Sequence, residues 1–239
     1  MSSHGNFDFH ITKTIAKVRQ RMGWIGRAFR TNNISFKKFM WQNYISGLLD
    51  YNSQLWSPVS SVKVSSLEQL LRTYTFNTKG LEGDNYWERL RKIGLSSIQR
   101  RFQRYKIIYI WKIVKGLTHN FGISWNYHPH WGLLIDIKKP RFNDLNAKSV
   151  SVWRQSLAVD GALLYNHMPS TIRNYSGSSL SGFKMTLDQL LERIPDRPLA
   201  QGLYPDPVNP ITGLNSNCLI DWSKFLKLCN RASEDLVSI

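Results

Sequence analysis

The clearest structural pattern of this chain lies in residues 86–117, YWERLRKIGLSSIQRRFQRYKIIYIWKIVKGL. It predicts a short helix over Tyr86–Ile93 that ends at Gly94, because glycine readily adopts the left-handed conformation that terminates a helix. A serine cap then starts a long helix that ends at Gly116. On a helical wheel, the apolar side chains of the long helix share one sector and its basic side chains share another. The apolar sector contains Ile98, Phe102, Tyr105, Tyr109 and Ile113, and the basic sector contains Arg100, Arg101, Arg104, Trp111 and Lys115.

Three segments before this stretch also have helical periodicity. Residues 11–30 place apolar side chains three and four positions apart, on one narrow stripe. Residues 34–50 and 65–76 have similar patterns. Together with the long helix, these segments predict a helical bundle over residues 10–116. The stripe of the first segment consists of Ile11, Ile15, Val18, Met22, Ile25 and Phe29.

After the long helix the pattern becomes less regular. Residues 117–132 have the composition of an aromatic loop, and residues 133–160 alternate loosely, which predicts short strands. Residues 183–194 predict an amphipathic helix that ends before Pro195. The predicted fold is therefore mainly α, a helical bundle followed by a less regular α+β tail. The predicted divisions are a disordered N-terminus over 1–9, the basic helical domain over 10–116, an α+β region over 117–194, and a Pro-rich extended tail with a short C-terminal helix over 195–239.

Positive charge is unevenly distributed along the chain. The 239 residues include 32 Lys and Arg against 16 Asp and Glu, a net charge of +16. Residues 1–116 contain 20 basic and 6 acidic residues, whereas residues 117–239 contain 12 and 10. Such an excess predicts a polyanionic partner, either nucleic acid or an anionic membrane surface. The longest strongly apolar run has about five residues against the roughly 20 that a membrane helix needs, so we expect no membrane span.

The basic sector of the long helix is the first candidate for a nucleic-acid surface. Arginine and lysine neutralise phosphates, and an interleaved tryptophan can stack on a base. The alternative is a solvated face on which Trp111 packs against a neighbouring element. Trp24 shares a sector with basic residues of the first helix, and for it burial is the favoured interpretation, because buried tryptophan is common. The predicted phosphate contacts are Arg100, Arg101, Arg104 and Lys115, then Lys13, Lys17 and Arg21, with Trp111 as the stacking residue.

The sequence offers little for metal binding or catalysis. His128 and His130 flank a proline, and Cys218 and Cys229 stand eleven positions apart, a spacing that matches no common zinc site. No nucleophile elbow, phosphate-binding loop, dinucleotide fingerprint or zinc-protease motif is present. The acidic residues are scattered and include no adjacent Asp-Asp pair, although two-metal chemistry needs clustered carboxylates. We therefore expect no metal and no cofactor, and a binding module rather than an enzyme.

Residues 86–117 resemble a segment that follows the catalytic palm in the reverse transcriptases of jockey-like non-LTR retrotransposons. The family pattern is Tyr-x-x-Arg-Leu-x-x-Leu-Gly-Leu, followed by an arginine-rich helix that ends in Tyr-Lys-Ile-x-x-Gly. Trp111 stands where the family usually has tyrosine. The matching positions are Tyr86, Arg89, Leu90, Gly94, Leu95, Arg100, Arg101, Lys112, Ile113 and Gly116.

Other segments resemble the same family in the same order. Residues 10–31 are similar to its first thumb helix, and residues 50–58 (DYNSQLWSP) to its tyrosine–tryptophan–proline segment. Residues 163–174 (LLYNHMPSTIRN) are similar to its Trp-Asn-x-Leu-Pro element, although Tyr165 replaces the tryptophan and Gly161 stands where arginine is common. Three more segments complete the match, KKPRFNDLNAKSV, FKMTLDQLLERIPDRP over residues 183–198 and NSNCLIDW over residues 215–222.

The resemblance implies a thumb-like domain and a post-thumb region without the catalytic palm that carries the polymerase carboxylates. It therefore implies binding of primer–template or element RNA, with no catalysis by this chain alone. A protein-interaction module and a non-functional retrotransposon relic remain alternatives. The resemblance also implies docking to a reverse-transcriptase palm, or self-association through the face left open without it. The two cysteines and the missing secretory signal predict an intracellular protein, nuclear or cytoplasmic.

Overall fold

The computed structural model of the chain describes residues 7–31, 33–56, 61–137, 156–193 and 196. These residues are mainly helical, with one antiparallel two-stranded sheet in the described part, so the predicted fold class is confirmed. They form two compact units, one containing the residues up to Phe102 with Asp196, the other the residues from Gln103 to Arg193. The expectations for residues 1–6 and 197–239 lie outside the described residues.

The first unit is entirely helical in its described part. Its helices bury the apolar stripe predicted for the first segment, since Ile11, Val18 and Ile25 are all buried. Phe29 departs from the prediction, because the helix ends before it and leaves its ring partly exposed. The elements are α1 (Asp8–Ala28), α2 (Ile34–Met40), a π-helical turn (Trp41–Ile45), α3 (Ser46–Asp50), α4 (Ser53–Trp56), α5 (Ser61–Phe76), α6 (Tyr86–Ile93) and the start of α7 (Ile98–Val114).

Local capping explains where several of these helices begin and end. The Asn33 side chain accepts a hydrogen bond from the Phe36 backbone N–H at 3.1 Å, which starts α2. Asn85 and Glu88 form a reciprocal capping box at the start of α6. Gly94 ends α6 with a φ of 68°, in the left-handed region predicted for it. These ends were readable from the sequence because each is determined by residues close to it in the chain.

The second unit combines most of α7 with a hairpin and three shorter helices. Strand β1 (Ser124–His128) pairs antiparallel with β2 (Gly132–Asp136), with Trp125 opposite Ile135. Strand β1 lies where the sequence had predicted only an aromatic loop over 117–132. Strand β1 was missed because its side chains are mostly exposed and lack an alternating apolar face. The remaining elements are a π-helical turn (Leu157–Gly161), α8 (Ala162–Asn166), α9 (Ser170–Arg173) and α10 (Leu180–Glu192).

The boundary between the two units lies within a single helix. It falls inside α7, after Phe102. The later part of this helix supplies Ile107, Ile110 and Trp111 to the core of the second unit. A helix that continues unbroken through both units leaves no turn or composition change from which the boundary could be predicted.

Gly161 and Tyr165 lie in the core of the second unit. A Cβ atom on Gly161 would lie 2.8 Å from Leu157 Cδ1 and 3.2 Å from Ile110 Cγ1, so no larger residue fits without rearrangement. The Tyr165 ring is fully buried, and its hydroxyl donates a hydrogen bond to the Arg173 carbonyl oxygen at 3.1 Å. Both residues are therefore explained by packing.

A buried carboxyl group holds the start of α7. Glu68 is 5% exposed and accepts hydrogen bonds from the Tyr86 hydroxyl and from the backbone N–H groups of Ile98 and Gln99. The pKa of Glu68 is raised from its usual 4.5 to about 7, chiefly by burial and also by the negative charge of Asp196, against the lowering effect of the three hydrogen bonds. The folded chain therefore keeps a proton on this group over a range in which the unfolded chain has lost it.

This proton makes stability depend on pH. Because the folded-state pKa of Glu68 lies above the unfolded value, we expect the free energy of unfolding to fall by about 3 kcal/mol as the pH rises from about 4.5 to 7. The Glu68→Gln variant should lack this component. Urea unfolding at several pH values in that interval measures both, and equal pH slopes for the two proteins would contradict the assignment.

Candidate nucleic-acid interface

The arginines predicted on α7 are engaged within the chain. Arg100 is 6% exposed, and its Nε lies 3.8 Å from Asp196 Oδ1. Arg101 makes a two-pronged contact with Asp50, with Nε at 3.2 Å from Oδ1. Arg104 makes the same kind of contact with Asp188, with Nη2 at 2.7 Å from Oδ2. The structure therefore places these three guanidinium groups in ion pairs with carboxylates of the same chain, and their contact with phosphates stays a prediction.

Trp111 is also placed differently from the prediction. It is fully buried and stacks on Phe183, with ring centroids 4.5 Å apart and planes within 8°. Stacking on a nucleic-acid base requires an open ring face, which this side chain lacks. The alternative interpretation, a tryptophan packed against a neighbouring element, is the one that the structure supports. Lys115, the remaining candidate at this end of the helix, is exposed just after α7 ends.

The predicted phosphate-binding residues of α1 are exposed to solvent. Lys13, Lys17 and Arg21 are exposed on α1, and Lys13 Nζ lies 5.9 Å from the centroid of the Phe9 ring. Arg21 Nη1 donates a hydrogen bond to the Tyr44 carbonyl oxygen at 3.4 Å. No carboxylate contact involves these three side chains within the described residues, so their charge faces solvent.

One face of α1 lines an open groove of about 520 Å³. Its α1 residues recur every three or four positions and therefore share one side of the helix. Trp24 is among them and is 48% exposed, which corrects the prediction that it would be buried. Leu48 of α3 completes the lining. The groove is lined by Lys17, Gln20, Arg21, Trp24, Arg27 and Leu48.

Five rings next to the groove form a continuous series, which we call the aromatic row. Neighbouring centroids along it lie 6.1, 5.5, 6.4 and 6.5 Å apart. Most of these rings are well exposed, including Phe39 at 52% and Tyr44 at 43%. The row runs from α1 to the π-helical turn and consists of Trp24, Phe29, Phe36, Phe39 and Tyr44.

The sequence around α1 is rich in basic residues. Residues 9–49 contain eight Lys and Arg and no Asp or Glu. The acids that flank this run are already engaged, Asp8 by Lys63 and Asp50 by Arg101. Among the described residues no ion pair to a carboxylate involves Lys17, Arg21 or Arg27, so the α1 face has a positive potential there.

The described residues contain no group of three His, Cys, Asp or Glu side chains able to hold a metal ion. His128 and His130 sit in the hairpin with ring centroids 5.9 Å apart. Cys218 and Cys229 lie outside the described residues. Among the described helices, none is long and apolar enough to span a bilayer.

No significant match was found for the chain among protein-family models, curated proteins or solved structures. Functional inference therefore depends on the geometry of the α1 face and the aromatic row. Sequence reasoning identified Lys13, Lys17 and Arg21 but missed Arg27 and the ring of Tyr44. The absence of acidic residues across positions 9–49 would not have been enough to find them, because residues 89–135 also lack Asp and Glu and contain the paired arginines of α7.

Proposed function

We propose that this chain binds nucleic acid through the exposed basic face of α1. The observation that supports the proposal is the groove in which Lys17, Arg21 and Arg27 stand beside the open ring of Trp24. Arginine and lysine contacts to phosphates supply most of the affinity of such surfaces, and exposed aromatic rings add contacts to bases. The proposed role is binding without catalysis.

The resemblance to the post-palm region of non-LTR reverse transcriptases supports the same class of partner. It implies primer–template or element RNA as the bound nucleic acid. The proposed contact surface differs from the one inferred from the helical wheel, because the α7 arginines are paired with carboxylates whereas the α1 cations are open. We therefore place phosphate contact on Lys17, Arg21 and Arg27, with Lys13 at the N-terminal end of the same helix.

Removing charge from the groove is expected to weaken binding and reduce its salt dependence. In the variant Lys17→Gln, Arg21→Gln, Arg27→Gln, loss of three phosphate contacts should reduce the slope of log Kd against log salt by about 2 and weaken binding roughly tenfold or more at low salt. Fluorescence anisotropy with a labelled 20-nucleotide RNA, at several salt concentrations, measures both quantities.

A matched control separates this site from net charge. The variant Lys79→Gln, Arg91→Gln, Arg193→Gln removes the same charge from exposed positions elsewhere, and it should leave the slope almost unchanged. Equal effects of the two variants would show that only overall charge matters. Wild-type protein that binds no RNA, duplex DNA or hybrid at low salt would reject the proposed function and favour the protein-interaction alternative.

A further inference from the structure

The aromatic row exposes several of its rings to solvent in the same region as the basic groove. Trp24, Phe39 and Tyr44 are 48%, 52% and 43% exposed. Contiguous exposed apolar surface on a folded chain marks an interaction site more often than scattered single residues do. We therefore expect the row to bind a partner that has flat apolar surface together with negative charge.

The row is held in place by elements of the first unit. Phe36 and Phe39 lie on α2, whose start is fixed by the Asn33 cap, while Met40 and Trp41, which follow directly, are buried in the core. Phe29 and Phe36 make the contact that links α1 to α2, with centroids 5.5 Å apart. Rings anchored in this way keep their positions in the free chain and lose little conformational freedom when a planar group stacks on them.

The cation Arg21 connects the two ends of the row. Arg21 precedes Trp24 by one helical turn and also contacts the Tyr44 backbone, so one guanidinium group lies near the first and the last ring. Lys17 and Arg27 lie on the same face of α1 as Trp24. A bound strand whose phosphates follow these cations would carry its bases beside the rings.

Duplexes and single strands offer different surfaces to such a site. In a duplex the base faces are stacked on one another, and only edges and backbone reach the protein. In a single strand the base faces are free to stack on aromatic side chains, with little preference for sequence. An exposed row of rings therefore adds affinity for single strands and not for duplexes.

An anionic membrane surface is a poorer match for this region. An interfacial helix inserts its apolar face between lipids. The apolar stripe of α1 is already used inside the protein, where Ile11, Val18 and Ile25 are buried. The exposed face of α1 is instead basic, with a single tryptophan.

We propose that the α1 face and the aromatic row together select single-stranded nucleic acid, RNA or DNA, whose unpaired bases stack on Trp24, Phe39 and Tyr44. This inference rests on the proposed function and specifies its substrate class. It predicts tighter binding to a single strand than to a duplex of equal length, and it assigns that preference to the three rings.

The test compares three ligands on the full chain. These are a 20-nucleotide oligothymidine, an abasic backbone of the same length and charge, and a 20-base-pair duplex, each measured by anisotropy at one salt concentration. The variant Trp24→Leu, Phe39→Leu, Tyr44→Leu removes the rings and keeps apolar side chains. We expect it to bind oligothymidine at least tenfold more weakly and to bind the abasic strand and the duplex almost as the wild type does.

Controls keep the outcomes distinct. The variant Phe121→Leu, Tyr127→Leu, Trp131→Leu removes three rings of similar or greater exposure from the second unit, and should leave all three affinities unchanged. Circular dichroism melting shows that each variant is folded. Equal wild-type affinity for the oligothymidine and the abasic strand, or no specific loss in the first variant, would overturn the inference while leaving phosphate binding by α1 standing. Absence of binding to all three ligands by the wild type would reject the proposed function itself.

Discussion

Replacing Arg100, Arg101 and Arg104 together by Ala is expected to unfold the chain or bring it close to unfolding. Arg100 and Arg101 form partly buried ion pairs with Asp196 and Asp50. Removing one partner of such a pair leaves a carboxylate without its counter-charge. When the pair is fully buried, this lowers the free energy of unfolding by about 3–5 kcal/mol. The more exposed Arg104 pair adds about 1 kcal/mol or less. A total of several kcal/mol is comparable with the whole stability of a typical domain, about 5–15 kcal/mol.

Helix propensity does not account for this loss. Alanine is the best helix former, so the three substitutions slightly favour the isolated helix. Any destabilisation must therefore come from the lost tertiary contacts. A double-mutant cycle on Arg101→Ala and Asp50→Ala should show that the two residues are coupled by about 1–3 kcal/mol, and additive effects would argue against the pair.

This expectation differs from the one that the sequence alone supports. From the helical wheel, the same triple variant would flatten the salt dependence of nucleic-acid binding and leave the fold intact. The structure favours the opposite outcome, a drop in the thermal midpoint with no change in the salt slope of the protein that remains folded. A stable variant with a flattened slope would restore α7 as the contact surface.

Helix positions were predictable because they depend on nearby residues. The stripe of Ile11, Val18 and Ile25 marks the buried face of α1, and Gly94 marks the end of α6. Both signals act within one or two turns of helix. Such local signals can be recognised from the sequence without knowing how distant parts of the chain pack.

The partners of the basic sector were not predictable in the same way. Asp50 and Asp188 lie 51 and 84 positions from the arginines that they hold. A helical wheel shows which side chains share a sector, but it carries no information about the acids that other elements bring to that sector. A basic sector that is neutralised internally therefore looks the same as one that is open. The acid-free run over residues 9–49 does not separate the two cases either, because residues 89–135 also contain no Asp or Glu and yet Arg101 and Arg104 are paired with distant carboxylates.

The Trp111→Ala variant is the second large expected effect. Trp111 is fully buried in the core of the second unit, and its ring stacks on Phe183. Truncating a buried aromatic ring to alanine removes apolar contacts and leaves a cavity, so we expect a loss of about 3–5 kcal/mol in the free energy of unfolding. Urea denaturation followed by circular dichroism measures this loss.

The Trp111→Phe variant separates the ring from its polar atom. The indole Nε1 is buried and has no hydrogen-bond partner among the described residues. Phenylalanine removes this N–H, whose burial without a partner costs about 1–3 kcal/mol, and keeps a ring able to stack on Phe183. The gain offsets part of the lost volume, so Trp111→Phe should cost far less stability than Trp111→Ala.

Binding distinguishes a core tryptophan from a stacking residue. If Trp111 only packs the second unit, both variants should bind a labelled single strand as the wild type does, at temperatures where they are folded. If Trp111 stacks on bases, affinity should fall in Trp111→Ala even where circular dichroism shows a native fold. The same single strand should respond to Trp24→Leu in either case, because that ring is open to solvent and stands among the cations of the α1 groove. We therefore expect substitution of Trp111 to lower stability and substitution of Trp24 to lower affinity. This pair of results is expected if α7 serves packing and α1 serves binding.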